Sequence, residues 1–339
     1  MAATIKQIAK MTGVSRGTVD RALNHRGNVN ADTEAFILKT AETLGYKPNL
    51  AGKGLAARKK KYVIGVILCS EENEFFEEVI DGIERAEKEC SEYGITVKRC
   101  AMKGYDTARQ LELLESIKQD VDIVILNAIN EPVIKKKIDE MNGLGIRFIT
   151  VNTEIEGGDV LCHVGIDYRQ SGSTAAGILG LIMPHGANIA IAMGSRNILG
   201  HNQRVEGFTK TMQVRNPMNK IVKVFETKDD VDRAYHEMKE ALEEHPEINA
   251  VYITSGGQKG ACRAVAESGR DISVVTSDAT RTVRDNVAAG IIKATICQEP
   301  FRQGYCAVHT AVQYLVYGEL PSADSYAVKN EIKIYENIQ

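Results

Sequence analysis

The strongest constraint on the fold is a change of hydrophobic pattern that repeats from residue 62 onwards. Short apolar runs alternate with amphipathic segments, which predicts an α/β fold of parallel sheets whose two faces are covered by helices. About four to five strands precede residue 160 and as many follow it, which favours two similar lobes over one ten-stranded sheet. The runs are YVIGVILC (62–69), ITVKRCA (95–101), VDIVILN (121–127), IRFITVN (146–152), ANIAIAM (187–193), KIVKVFE (220–226), NAVYIT (249–254), DISVVTS (271–277) and IKATICQ (292–298).

The first 61 residues differ from this body in charge. They hold twelve Lys or Arg against four acidic residues, a charge of +8, whereas the whole chain carries −3 and the remainder therefore −11. A small basic head on an acidic body indicates a head that contacts nucleic acid. A solvated lysine-rich face is the alternative that charge alone leaves open.

The head has the pattern of a helix-turn-helix. Thr4 and Gln7 form a capping box at the start of one helix, MTGVS ends it with Gly13 as the turn residue, and Ser15 caps the next. An exposed, polar second helix is what can enter a major groove. The second helix buries Val19, Ala22 and Leu23 and exposes Gly17, Asp20, Arg21 and Asn24. A third helix, starting near Asn30, turns inwards Phe36, Ile37, Leu38, Ala41 and Leu44.

TIKQIAKMTGVSRGTVDRALN, followed by LGYKPNLAGKGLA, resembles the head of the LacI/GalR family of bacterial transcription regulators, and the resemblance continues through the body. It implies a DNA-binding domain at residues 1–47, with Arg16 and Gly17 reading base edges and Arg21 beside them. Ser15 and Thr18 would contact phosphates. The other expected DNA contacts are Thr4, Asp20, Asn24, Asn49, Lys53 and Leu55.

By the same resemblance, residues 48–61 are a hinge helix and linker. The family's hinge folds on the operator and inserts a leucine, here Leu55, into the minor groove, where it bends the duplex. Gly52 and Lys53 stand where the family usually has Ala-Arg, and Gly54 is a second weak helix former. We therefore expect this segment to be unfolded without DNA. The basic run 58–61 either adds phosphate attraction or is a solvated linker.

Asp20 is a second departure, because the family usually has serine there and a carboxylate is repelled by phosphates. Two donors could make it useful. Cytosine N4 in the major groove would make Asp20 a reader of base identity. Arg16, one helical turn earlier, would instead be held in place for guanine, and this partner is always available. Both interpretations remain open.

Polar and aromatic side chains follow the predicted strands, at the carboxyl ends where α/β sheets bind ligands. Aromatic faces suit a sugar's C–H surface, while amide, carboxylate and guanidinium groups suit its hydroxyls. Core packing of the phenylalanines, a solvated arginine and helix capping by Asp278 are the alternatives for single members. The expected effector contacts are Asn73, Phe75, Phe76, Asn127, Asn152, Arg204, Ser255, Asp278 and Gln298.

The body resembles the periplasmic sugar-binding proteins, especially the ribose-type members, whose fold the LacI/GalR family uses. Seven of these nine residues match that pocket, and two depart from it. The ribose-type Asp-Arg after the fourth strand is Asn152-Thr153 here, and the asparagine after VYIT is Ser255. We therefore expect a sugar-like or polyol effector other than ribose.

The resemblance also implies a body, residues 62–339, that binds effector and dimerises. Three crossings, near 166/167, 298/299 and 325/326, divide it into lobe 1 (about 62–166 and 299–325) and lobe 2 (about 167–298 and 326–339). Chain crossings of this kind allow two lobes to close on a ligand.

Other function classes lack their motifs. G-x-G-x-x-G does not follow VILC, G-x-S-x-G is missing, GGQKG (256–260) lacks P-loop spacing, and the seven histidines form no H-E-x-x-H. We therefore expect neither an enzyme nor a metal or other cofactor. A transport receptor would need a signal peptide and no basic head. The seven scattered cysteines read as reduced thiols, and no apolar stretch is long enough for a membrane, which predicts a cytoplasmic protein.

Together these features predict a ligand-responsive, sequence-specific transcription regulator, with a repressor favoured. Two copies would read the half-sites of a pseudo-palindromic DNA operator as a homodimer. Whether effector releases or recruits DNA, and whether the protein is a dimer or a tetramer, stays open at this point.

Overall fold

The computed structural model of the protein describes residues 3–23, 27, 29–46, 50–321 and 328–338. Along these residues the chain forms a three-helix head, one connecting helix and a body with two β-sheets. Within them, no helix is both long and apolar enough to cross a membrane.

The head is the predicted helix-turn-helix, made of α1 (Ile5–Thr12), α2 (Arg16–Leu23) and α3 (Ala31–Thr43). The capping box of Thr4 and Gln7 is present, and Gly13 ends α1 with a φ of 70°. Because no side chain but glycine adopts that angle readily, Gly13 sets the sharp turn into α2. The head's buried core consists of Ile8, Ala9, Val19, Ala22, Ile37 and Ala41.

One residue predicted for this core lies outside it. Phe36 is 53% exposed, whereas its neighbour Ile37 is fully buried. Consecutive helical residues point about 100° apart, so α3 can direct only one of the two into a core this small. The prediction for Phe36 was wrong.

The connecting segment is a helix, α4 (Leu50–Lys60), although we expected it to be unfolded without DNA. Its contacts with the body explain the difference. Lys53 Nζ donates to the Tyr317 carbonyl at 2.7 Å, and Ala57 is buried in the first lobe's core. Gly54 lies so close to the Tyr93 ring that a Cβ there would be 3.2 Å from it. Packing stabilises a helix whose own propensity is low.

The body contains the predicted parallel strands, arranged in two sheets. The first has the order β2-β1-β3-β4-β5 and the second β11-β10-β9-β8-β6-β7. The strands are β1 (Val63–Glu71), β2 (Thr96–Lys103), β3 (Ile123–Leu126), β4 (Arg147–Val151), β5 (Cys162–Val164), β6 (Asn188–Met193), β7 (Lys220–Glu226), β8 (Ala250–Ile253), β9 (Ser273–Ser277), β10 (Ile292–Cys297) and β11 (Glu331–Lys333).

Two of these strands, β5 and β11, were not predicted. Each is three residues long, too short to show a hydrophobic pattern, and each is held by its neighbour in the sheet. The strand β11 runs antiparallel to β10, unlike the other pairs described.

Helices cover both faces of each sheet and give each lobe two apolar layers. They are α5 (Phe75–Cys90), α6 (Thr107–Ile117), α7 (Pro132–Gly143), α8 (Tyr168–Ile182), α9 (Leu199–Arg215), α10 (Val231–Glu244), α11 (Gln258–Glu267), α12 (Arg281–Ala288) and α13 (Pro300–Val312). Although α13 follows a strand of the second sheet, it packs on α5 in the first lobe. The lobe boundaries remain predictions, and the third crossing lies outside the described residues.

Candidate ligand cleft and DNA-binding head

A cleft lies between the lobes, at the carboxyl ends of strands from both sheets. It leaves about 80 Å³ for the centres of water-sized spheres, room for about five to eight waters. A single small polar molecule would displace a comparable number. Eight of the nine expected effector contacts line this cleft, namely Asn73, Phe75, Phe76, Asn152, Arg204, Ser255, Asp278 and Gln298.

Asn127 is the exception and corrects the prediction. It follows the central strand β3, is 2% exposed and lies behind Asn152 rather than on the cleft wall. Its Nδ2 donates to the Val151 carbonyl at 3.3 Å and to Asn152 Oδ1 at 3.2 Å. Asn127 therefore supports Asn152, whose backbone is left-handed with a φ of 65°.

The two phenylalanines belong to both the wall and the core. Their rings meet edge to face with centroids 5.2 Å apart, and both pack in the first lobe's apolar layer. Asn73 Oδ1 accepts from the Phe75 peptide N–H at 3.1 Å, which fixes the start of α5. The apolar side of the cleft is thus rigid.

Arg204 is the buried cation of the cleft. It is 2% exposed, its Nη1 donates to the Thr254 carbonyl at 2.6 Å, and its guanidinium lies 4.8 Å from the centre of the Tyr168 ring. Its Nε and Nη2 are buried without a hydrogen-bond partner among the described residues. Since an unpaired buried charge is costly, these donors are prepared for acceptors on a bound molecule.

Asp278 and Gln298 lie across from Arg204 and bond to each other. Gln298 Nε2 donates to Asp278 Oδ1 at 2.8 Å, and Gln298 Oε1 accepts from the Tyr168 hydroxyl at 3.0 Å. Burial raises the pKa of the Asp278 carboxyl, while the Arg204 charge and the Gln298 bond oppose that rise. The backbone of Asp278 is left-handed, with a φ of 69°. Such strain at a ligand-facing residue is typical of a functional position.

Several cleft residues were missed by sequence reasoning: Tyr105, Thr153, Tyr168, His201, Asp229 and Gln258. Burial lowers the pKa of His201 to about 4, and its Nδ1 accepts from the Ser195 peptide N–H at 3.0 Å, so the neutral ring carries its proton on Nε2. The signal for Tyr105 and Asp229 was present, because they follow β2 and β7 as the other contacts follow their strands.

The lobes touch each other around the cleft. The Thr282 hydroxyl donates to Glu74 Oε1 at 2.6 Å, and its peptide N–H donates to Oε2 at 3.0 Å. The Asn130 peptide N–H donates to the Asn197 carbonyl at 2.8 Å. These bonds hold the lobes in a closed arrangement.

On the head, the expected base-reading residues Arg16, Gly17 and Arg21 are exposed on α2. Ser15 and Thr18 share a hydroxyl hydrogen bond of 2.9 Å at the start of that helix. Thr4 caps α1, Leu55 is 62% exposed on α4, and Lys53 donates to Tyr317 as described. Asn24 and Asn49 lie outside the described residues.

Asp20 is half-buried on α2, and its position adds a neighbour that neither interpretation considered. Its charge contributes to the raised pKa of Tyr46, after burial of that phenol. Asp20 therefore lies near the side of the head where Tyr46 packs on the core. Its proposed roles toward Arg16 or cytosine remain predictions.

Comparison with known proteins matches both parts of this architecture. Residues 64–320 match the family model of the periplasmic binding protein domain, and residues 4–49 match that of bacterial regulatory proteins of the lacI family.

Relatives resemble either the whole chain or its body. The HTH-type transcriptional regulator RegA of Clostridium saccharobutylicum is 26% identical over 343 residues, 98% of this chain and 98% of that protein. The ribose import binding protein RbsB of Bacillus subtilis is 26% identical over 282 residues, 82% of this chain and 90% of that protein. The glucose-galactose binding protein GanP of Geobacillus stearothermophilus shares the fold with a TM-score of 0.76 at 22% identity, covering 81% of this chain and 98% of its own. The chain therefore belongs to the lacI family of bacterial regulatory proteins, and its body is a periplasmic binding protein domain.

Proposed function

We propose that the protein is a repressor of transcription that binds a pseudo-palindromic DNA operator as a homodimer and releases or tightens its hold when a sugar-like or polyol effector enters the cleft. The observation that carries this proposal is the pairing of an exposed, basic α2 with a cleft whose buried Arg204 presents unpaired donors. The first suits a phosphate-lined groove and the second a small hydroxylated molecule. Because it acts on DNA, we expect it in the cytoplasm.

Dimerisation follows from the small size of the head. One helix-turn-helix makes few contacts, and two heads that read two half-sites multiply them. A symmetric dimer also explains why an operator of this kind has a dyad.

The helix α13 offers a physical route between effector and DNA. It begins directly after Gln298 and Glu299 at the cleft, and its continuation ends at Tyr317, whose carbonyl accepts from Lys53 on α4. Residues 313–317 of that continuation form a π-helix, a local irregularity that is common at functional positions. A shift of the lobes at Gln298 would therefore move the support of the hinge helix.

Selection of duplexes from a randomised library tests the proposal. The full-length protein should enrich sequences with two dyad-related half-sites, whereas a variant with Arg16→Ala and Arg21→Ala should enrich none and keep its response to effector. A protein that binds sugar but selects no DNA sequence would instead be a receptor of the transport type, the alternative favoured by the body alone.

A further inference from the structure

Asp229 presents a carboxylate that the protein itself does not neutralise. Its Oδ2 accepts from the Tyr105 hydroxyl and, at 3.4 Å, from Asn73 Nδ2. Its Oδ1 is buried and has no hydrogen-bond partner within the part of the chain that the structure describes. Both donors to Oδ2 are neutral, so the charge of Asp229 is solvated but not balanced.

The nearby cations are engaged elsewhere. Lys228 Nζ bonds to the Glu226 carboxylate and to Ser195 Oγ, the latter at 3.1 Å. Arg204 donates to the Thr254 carbonyl, and its charge acts on Asp278, whose pKa it holds down against burial. One buried cation therefore faces two carboxylates, and the one left over is Asp229. An uncompensated charge in a closed cleft is unfavourable until a partner arrives.

Two glycines keep space open around this carboxylate. A Cβ on Gly194 would lie 2.4 Å from Asp229 Oδ1 and 2.6 Å from Ser255 Oγ. A Cβ on Gly256 would lie 2.7 Å from the Asp229 Cβ. Ser255 Oγ is also buried without a partner among the residues described. The two unpaired oxygens thus flank one small space that any side chain at residue 194 would fill.

The backbone holds Asp229 in place for this role. Lys228 and Asp229 are both left-handed, with φ of 57° and 56°, and the Asp229 peptide N–H donates to Thr227 Oγ1 at 3.2 Å. Non-glycine residues adopt this conformation at an energetic cost, which is tolerated where a side chain must be directed to a particular point.

We propose that the effector carries an ammonium group that donates to Asp229 Oδ1 and Ser255 Oγ, so that the cleft selects amino sugars or amino polyols over their neutral counterparts. This rests on the proposed function, because it takes the cleft to be the effector site. An ammonium group has three donors and a positive charge, and it satisfies both oxygens as well as the unbalanced carboxylate. Arg204 and Asp278 would then bind hydroxyls.

Calorimetry on the full-length protein in an amine-free buffer tests the proposal with matched probes. The pairs are D-glucosamine with D-glucose, D-galactosamine with D-galactose, and Tris with pentaerythritol. At least one amine should bind about ten to a hundred times more tightly than its neutral partner, since a charged hydrogen bond is exchanged for a neutral one.

Three variants locate the cause. Asp229→Asn suits the left-handed backbone and should erase the preference for the amine. Asp232→Asn removes the same charge from an exposed position on α10 and should keep the preference. Tyr105→Phe removes the bond to Oδ2, leaves the charge and should also keep it.

If no amine binds more tightly than its neutral partner, the proposal is overturned. It is equally overturned if Asp229→Asn weakens both members of a pair alike, because Asp229 would then only hold the lobes together. Neither result touches the proposed function, which fails on a different one: sugar binding that Arg204→Ala leaves unchanged would remove the cleft as the effector site.

Discussion

The head and the cleft present charge in opposite ways. On the head, Arg16 and Arg21 are exposed, in a segment of charge +8. In the cleft, Arg204 and Asp278 are buried, and Thr254 and Gln298 hold them in position. Ions in solution screen the first arrangement and hardly reach the second. The difference teaches that DNA binding here depends on the solution, whereas effector binding depends on fit.

Salt should separate the two regions most strongly. A dimer that makes six or more phosphate contacts should lose about a thousandfold in operator affinity between about 50 and 200 mM salt, because fewer counterions are released. Effector affinity should change little over the same range. Anisotropy titrations of labelled operator and calorimetry of the effector, at the same two salt concentrations, check this. Equal salt dependence would erase the distinction.

Removing the buried charges should give the next largest effect, confined to the cleft. Arg204→Ala and Asp278→Ala should each weaken effector binding by about 1–3 kcal/mol, because ligand hydroxyls lose a charged partner. Ligand-free operator binding should persist if the protein is induced rather than co-repressed. Arg169→Ala is the control, since its ion pair with Glu206 is exposed and contributes little. Wild-type effector affinity in both cleft variants would mean that the site lies elsewhere.

Leu55→Ala should act on the DNA side alone. Loss of a groove-inserting side chain should cost about 1–3 kcal/mol of operator affinity, comparable to a mismatched base pair. The melting temperature and effector affinity should not change, because Leu55 is 62% exposed and its truncation removes little packing. Leu144→Ala, truncating a leucine that is 61% exposed on the body, is the matched control. A gel shift that shows undiminished binding by Leu55→Ala would place the hinge outside the groove.

Asp20→Ser should have the smallest effect on affinity. If Asp20 holds Arg16, its loss changes specific binding by a few tenths of a kcal/mol, raises non-specific affinity and relaxes selectivity at the guanine opposite Arg16. If it reads cytosine, only a separate C·G pair relaxes. Binding to libraries with each half-site position randomised, at one salt concentration, distinguishes the two. An unchanged profile with unchanged non-specific affinity would show that the carboxylate serves only the head, near Tyr46.

The sequence was sufficient for the architecture because long, regular patterns encode it. The head's capping box and the nine apolar runs each correspond to an element of the structure. Elements of three residues such as β5 carry no such pattern, since their neighbours in the sheet determine them. At Phe36 the pattern allowed two inward residues where packing admits one.

The cleft was predictable to the extent that strand ends define it. This rule placed Arg204 and Asp278 on the wall, but it cannot tell a side chain on the wall from one behind it, as Asn127 shows. It applied equally to Asp229, where consecutive charged residues after β7 resemble a solvated turn. Only the burial of Oδ1 between two glycines separates Asp229 from such a turn, and burial is a property of the folded chain.

The central claim is that the cleft and the head share one free energy of coupling. The most direct measurement determines operator affinity with and without a saturating effector, and effector affinity with and without operator, on the same full-length protein. Linkage requires the two ratios to be equal, and we expect both to be about 5–150. Operator affinity that is identical in the presence and absence of a bound effector would contradict the account.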